Sequence, residues 1–197
     1  MVRFLKSIFQ RLYPYGIFRV GTDVYLTFDD GPIPEVTPQV LAILAQYKVK
    51  ATFFMVGENI DKHPEVFEQV IKAGHSIGNH TYNHLKGWHY SLKEYMANVD
   101  KFPKQTTLFR PPYGKAWLWQ RYALHKKGYR LIYWDILTRD YDKNVTPEQM
   151  LANIKKNTRP GSIINFHDSL KSNERMLTVL PQAIEWLQAQ GYTLKAL

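Results

Sequence analysis

The stretch Val24-Tyr25-Leu26-Thr27-Phe28-Asp29-Asp30-Gly31-Pro32 decides how this chain is read. Its first five residues make a short apolar run of strand length, and the run stops abruptly at two adjacent carboxylates and a turn. Neighbouring carboxylates raise one another's pKa, so a strand end that keeps both ionised calls for a cation or an arginine nearby. Aspartate and glycine also build ordinary turns, so the stretch alone is compatible with a structural corner as well as with catalysis.

Beyond Pro32 the chain alternates short apolar runs with helical patterns. Thr37 reads as an N-cap with Pro38 at the first helical position, ahead of Val40, Leu41 and Leu44. Residues 51–56 read as a buried strand and 64–72 as a helix closed by Gly74. Residues 76–79 form a weaker strand, and Ser91 with Glu94 has capping-box spacing at the head of a helix running to about Phe102. Residues 108–110 are placed like a strand, 115–127 read as a helix ended by Gly128, and 129–134 as the next strand. Thr146, Pro147 and Gln149 open a helix to about Asn157, followed by a strand at 162–166, a helix at 175–190 and a last strand at 192–197. The alternation predicts a parallel sheet covered by helices in one barrel-like α/β domain over residues 22–197. An open doubly wound sheet is the alternative, because spacing does not give strand order.

Ahead of that domain, residues 1–21 form an expected N-terminal amphipathic segment. Phe4, Leu5, Ile8, Phe9 and Leu12 recur at helical spacing with Arg3, Lys6 and Arg11 between them, a pattern suited to packing under the domain or to peripheral association with a membrane surface. Charges interrupt each apolar run and no small-residue cleavage site is evident, so no signal peptide is expected. No uncharged apolar segment approaches about 20 residues, the length of a membrane span. Cytoplasmic residence or a place peripheral to the cell envelope is expected. Lysine and arginine exceed the acids by 26 to 17, a formal charge of +9, but they are scattered, with doublets only at Lys126-Lys127 and Lys155-Lys156. No nucleic-acid partner is expected from that distribution. Cysteine is absent, so any metal must be held by nitrogen and oxygen.

Chemistry-bearing residues recur at the ends of the inferred strands: Asp29 and Asp30 after the first, His80 after the third, Arg110 after the fourth, Asp135 after the fifth and His167 after the sixth. A parallel α/β barrel gathers those ends into one mouth. His80 and His84, four residues apart, can turn two imidazoles toward one ion, and Asp30 would complete a two-histidine, one-carboxylate set with open positions. His63, His89 and His125 sit in polar surroundings, and His75 reads as a core residue bonded to backbone. A metal, a base, a fixed cation and a second acid/base make a hydrolytic set.

These elements, taken in order, resemble the polysaccharide deacetylases of the NodB-homology class, carbohydrate esterase family 4, over residues 25–197. The matching motifs are Thr27-Phe28-Asp29-Asp30-Gly31, His80-Thr81-Tyr82-Asn83-His84, Arg110-Pro111-Pro112-Tyr113 and Gly161-Ser162-Ile163-Ile164-Asn165-Phe166-His167-Asp168. The resemblance implies an incomplete, distorted (β/α) barrel. It implies that Asp29 is the general base, that Asp30, His80 and His84 hold one divalent metal, zinc with cobalt or nickel as alternatives, that Arg110 orients the base, and that His167 is the general acid. It implies a backbone amide near Tyr113 as oxyanion donor, Asp140 as the partner that tunes His167, and an N-acetylated glycan as substrate.

Two departures stand out against that pattern. The fourth motif commonly reads Asp-X-X-Asp-Trp, whereas this chain has Leu137-Thr138-Arg139-Asp140-Tyr141, which gives Tyr141 to the groove wall. Asn165 stands where an apolar residue, often leucine, lines the acetyl pocket. Both are expected to alter substrate preference. The rival readings are an amide hydrolase of small cyclic amides on the same fold and a non-catalytic, metal-bearing glycan-binding module. Nothing in the sequence sets an oligomeric state.

Overall fold

The computed structural model describes residues 13–197; the amphipathic stretch expected at residues 4–12 lies outside them. Strand β2 (Tyr25–Asp29) is buried along its whole length, as a parallel strand with both faces covered must be. Its alternate residues go to opposite sides. Leu26 and Phe28 join the main apolar cluster under the helices, while Thr27 and Asp29 reach polar partners inside the curve of the sheet.

On one side β2 pairs with β3 (Thr52–Met55), and beyond it lie β4 (Ser76–Asn79), β5 (Leu108–Phe109), β6 (Arg130–Ile132) and β1 (Gly16–Ile17); on the other lie β8 (Ile163–His167) and β7 (Ile136–Leu137). Every ladder is parallel. The order β1-β6-β5-β4-β3-β2-β8-β7 is that of an open but curled sheet, an incomplete, distorted barrel. Residues 133–135 carry the chain from β6 near one edge to β7 at the other, and a bridge from Arg19 to Ser162 adds a second tie. The expected strand at 129–134 is thus the first half of a broken strand whose second half pairs with β8. Asp135 falls in the break: its N–H donates to Ile163 O at the start of β8, and its carboxylate binds Arg159 and Ser162. It lies at the end of the barrel opposite His167, which corrects its expected place in the mouth.

The helices are α1 (Thr37–Gln46), α2 (Gly57–Lys62), α3 (Pro64–Lys72), α4 (Leu92–Asp100), α5 (Leu118–Lys126), α6 (Pro147–Asn157) and α7 (Asn173–Ala189). Capping boxes at Ser91 with Glu94 and Thr146 with Gln149 start α4 and α6 as the sequence predicts. Thr37 is not a cap but the first helical residue, and its hydroxyl donates to Asp168. The strand expected at 192–197 is reduced to one bridge from Leu194 to Val24, with Lys195 N–H donating to Val24 O. The core between sheet and helices is centred on a stack of three rings, Phe53 on Phe28 at 5.0 Å and Phe28 on Phe166 at 5.7 Å.

His75 is a core histidine at the step from α3 into β4. Its Nδ1 accepts from Ala51 N–H at 3.1 Å and its ring meets Phe53 edge-on. Burial, helped by the charge of Lys50, lowers its pKa from 6.5 to about 4. The folded chain therefore refuses a proton that the unfolded chain takes up, so stability is full above pH 6.5 and falls as pH drops toward 4. His75→Asn keeps an acceptor but does not titrate, so its denaturation midpoint should fall less between neutral and acid pH than that of the native chain.

Candidate active site

Asp29, at the end of β2, faces the inside of the barrel next to Arg110, which follows β5 and is fully buried. Arg110 Nη1 donates to Asp29 Oδ1 at 2.6 Å, to Thr27 Oγ1 at 2.9 Å and to Asn165 Oδ1. Nε and Nη2 donate to the carbonyls of Ile132 and Tyr133, each at 3.1 Å. The guanidinium also lies 4.1 Å from the Phe54 ring. Asn165 Nδ2 closes the network by donating to Asp29 Oδ2 at 3.0 Å. Both oxygens of Asp29 are held, and its charge has a buried counter-ion. Asn165 is itself fully buried, with its amide directed into this network.

The next residue turns the other way. Asp30 sits in the left-handed region at φ 87°, with its carbonyl accepting from Asn59 Nδ2 at 2.8 Å. Gly31 follows, and a Cβ there would lie 2.1 Å from Asp168 Oδ2, so only glycine fits. Asp168 brackets the corner: its Oδ1 accepts from Gly31 N–H, its Oδ2 from Thr37, and its own N–H donates to Asp29 O.

The histidine loop is held as firmly. His80 Nδ1 lies 2.7 Å from Arg110 O, and since a carbonyl only accepts, Nδ1 carries the proton and Nε2 presents a lone pair. Burial lowers the His80 pKa to about 4, so the ring is neutral at pH 7. Asn79 Oδ1 accepts from Thr81 N–H, and Asn98 Oδ1 accepts from the N–H groups of Tyr82 and Asn83. Gln120 clamps the following turn by donating to the carbonyls of Gly87 and Tyr90. Thr81, His84 and Tyr113 all adopt positive φ, and such conformations persist only where surroundings over-determine them.

One carboxylate oxygen or ring nitrogen from each of Asp30, His80 and His84 lies within 4.8 Å of the others. Asp30 Oδ1 is buried and makes no hydrogen bond, although His84 Nε2 stands 3.2 Å and His80 Nε2 3.8 Å from it. Burial alone would raise the Asp30 pKa, but the close His84 and the charge of His167 hold it at about 2. An ionised oxygen without a donor beside a neutral imidazole lone pair fits a divalent cation.

Opposite stands His167, directly paired with Asp29 in the β2–β8 register. Asp140 accepts from its Nδ1 at 2.8 Å and from its backbone N–H at 2.7 Å. Burial pulls the His167 pKa down, but Asp140, with Asp29 and Asp30, overcomes this and pushes it up to about 9. Tyr141 meets the ring edge-on at 5.0 Å. Tyr113 is largely exposed, 4.7 Å from His84.

Apart from Asp135, the expected site residues therefore gather at one end of the barrel, Asn165 beneath the base rather than on an open wall. The supporting residues Thr27, Asn79, Asn98, Gln120 and Asp168 do not announce themselves as a group in the sequence. Their signal is a polar side chain at a position whose spacing faces the core.

The arrangement defines a class, hydrolases of the carbohydrate esterase family 4 type. The chain belongs to the polysaccharide deacetylase family, whose model matches residues 20–132. It is 35% identical over 177 residues, 86% of this chain and 83% of the relative, to a peptidoglycan-N-acetylglucosamine deacetylase of Bacillus cereus. A chitooligosaccharide deacetylase of Azorhizobium caulinodans is 33% identical over 197 aligned positions, covering 89% of this chain and 93% of that one. A crystal structure of the Bc1960 peptidoglycan N-acetylglucosamine deacetylase matches with a TM-score of 0.88 at 31% identity, covering 93% of this chain and 91% of that one.

Gly31→Ala is expected to push Asp168 out of its bracket and rotate Asp30. Bound divalent metal, measured by elemental analysis after dialysis against zinc, should fall while the secondary structure by circular dichroism is retained.

Proposed function

We propose that this chain is a metal-dependent N-deacetylase that hydrolyses the acetamide of N-acetylglucosamine residues in a glycan, releasing acetate and a free amino sugar. The observation that carries the reading is the convergence of Asp30, His80 and His84 beside a clamped carboxylate and a carboxylate-backed histidine on neighbouring strands. Relatives named for peptidoglycan N-acetylglucosamine and for chitooligosaccharides support the substrate class. Among the described residues no helix is long and apolar enough to cross a membrane.

Asp30, His80 and His84 would hold a divalent ion, with zinc favoured by two imidazoles and one carboxylate, and that ion would serve as a Lewis acid to polarise the carbonyl and acidify water. Asp29, fixed by Arg110 and Asn165, accepts the proton of the attacking water on a free lone pair of its carboxylate. Attack on the acetamide carbon gives a tetrahedral species, and the backbone amide at Tyr113 is assigned to its oxyanion. His167 carries its acid proton on Nε2, because Nδ1 is engaged by Asp140. It delivers that proton to the departing nitrogen as the C–N bond breaks. Tyr141 fixes the edge of the His167 ring, and Asn165 acts on the reaction through Asp29. A bound cation would bring the His167 pKa down from about 9 toward neutrality.

His84→Ala should lose its metal and its turnover together. Asp29→Asn should stay metal-loaded yet release acetate from chito-oligosaccharides roughly 10²-fold more slowly. A metal-loaded Asp29→Asn at native rate would sink the mechanism.

Removing the Asp140 charge takes away what raises His167. Asp140→Asn should therefore move the alkaline limb of the pH–rate profile to lower pH and reduce the maximal rate, with metal content unchanged.

A further inference from the structure

Helix α5 (Leu118–Lys126) is built inside out. A helix on the rim of a barrel should turn its apolar stripe inward and its polar face to water. Here Gln120 and Arg121 are buried with Leu124. Gln120 ties down the loop after His84, and Arg121 lies against the Tyr13 ring at 4.9 Å. The outward positions hold Leu118, Trp119 and Tyr122, exposed by 51%, 52% and 48%. The inward polar residues have tasks within the fold, whereas the outward apolar ones stand about half exposed.

The exposed surface continues beyond the helix. Trp117 stacks on Trp119 at 5.1 Å and approaches Trp88 at 5.7 Å, and Lys115 Nζ lies 4.1 Å over the Trp88 ring. On the other flank Tyr15 stacks on His125 at 4.5 Å, and Lys126 Nζ lies 5.8 Å from the Tyr122 ring. No acidic residue occurs between Leu118 and Lys126. Indoles and phenols bordered by lysines match the chemistry of a bilayer interface, where amphipathic rings sit at headgroup level and cations meet anionic lipid.

The chain leading into this surface points the same way. Tyr13, the first described residue, packs 5.3 Å from Tyr133 and beneath Arg121 of α5, and residues 1–12 precede it in the sequence. Their sequence pairs Phe4, Leu5, Ile8 and Phe9 with Arg3, Lys6 and Arg11. A single weak anchor binds a membrane only marginally, and stable attachment takes two signals.

We propose that the outer face of α5, with Trp88 and Tyr15 at its flanks, docks the domain onto an anionic lipid bilayer. The claim does not depend on the deacetylase reading. The test is co-sedimentation of the full chain with vesicles of phosphatidylglycerol and phosphatidylcholine, and with phosphatidylcholine alone. The native chain should partition onto the mixed vesicles and more weakly onto the neutral ones. Leu118→Ser combined with Trp119→Ser should lower partitioning by about 10-fold or more. Lys126→Gln should lower it about fivefold on the anionic vesicles only. Turnover of a soluble oligosaccharide should stay within about twofold of native in both, which shows that the fold is intact.

Four outcomes overturn the proposal. The first is a native chain that sediments with neither vesicle, and the second a double variant that sediments as the native chain does. In the third, deletion of residues 1–12 raises partitioning, so that segment covers the face. In the fourth, the double variant keeps vesicle binding but turns over long glycans selectively slowly, so the aromatic face serves the glycan.

Discussion

The buried ion pair between Arg110 and Asp29 is the constraint on which the rest of the site depends. A guanidinium with no exposure costs several kcal/mol to desolvate and is tolerated only when its donors are satisfied and its charge is met. Here the last residue of β6 and the one after it supply carbonyls, β2 supplies the carboxylate, and Thr27 and Asn165 take what remains. Removing either charge would leave the other stranded in the barrel. The same residue reaches the opposite half of the site through its backbone, since Arg110 O accepts from His80 Nδ1. One residue therefore orients the proposed base by its side chain and a candidate metal ligand by its main chain, so the two halves share one position in space.

Much of this is legible in the sequence because it sits at strand ends. The runs at 24–28 and 162–166 are mainly apolar, and each ends at a polar residue that a parallel barrel must bring to its mouth. What stays hidden has specific causes. β1 is two residues long and pairs through backbone, so Gly16 and Ile17 carry no pattern to read. The run from Tyr129 to Trp134 looks like one strand because its composition does not change where its partner does. Asp135 therefore reads as the end of a strand when it stands at the start of one. Thr37 reads as a cap because threonine before proline usually is one, but a buried Asp168 competes for its hydroxyl and wins.

The supporting shell is harder still to read. Asn98 and Gln120 lie on helix faces that should be apolar, and each secures a loop segment near the histidines. Left-handed backbone at Thr81, His84 and Tyr113 needs such tethers, because each such residue costs on the order of 1 kcal/mol. Polarity at inward positions is thus the trace that loop geometry leaves on the helices beneath it. In α5 the trade goes further, because serving the loop turns the helix over and leaves its apolar residues facing out.

The register of β8 against β2 has a consequence for how the site can fail. His167 and Asp168 are consecutive, so the pleat sends one into the mouth as the proposed proton carrier and the other under the Asp29–Gly31 corner as its bracket. Sliding β8 by a single residue one way would place the Asp168 carboxylate where the imidazole belongs, and sliding it the other way would set the imidazole against the glycine that admits no neighbour. Strand pairing here behaves as a lock with one key position, because only one register gives both neighbours their places.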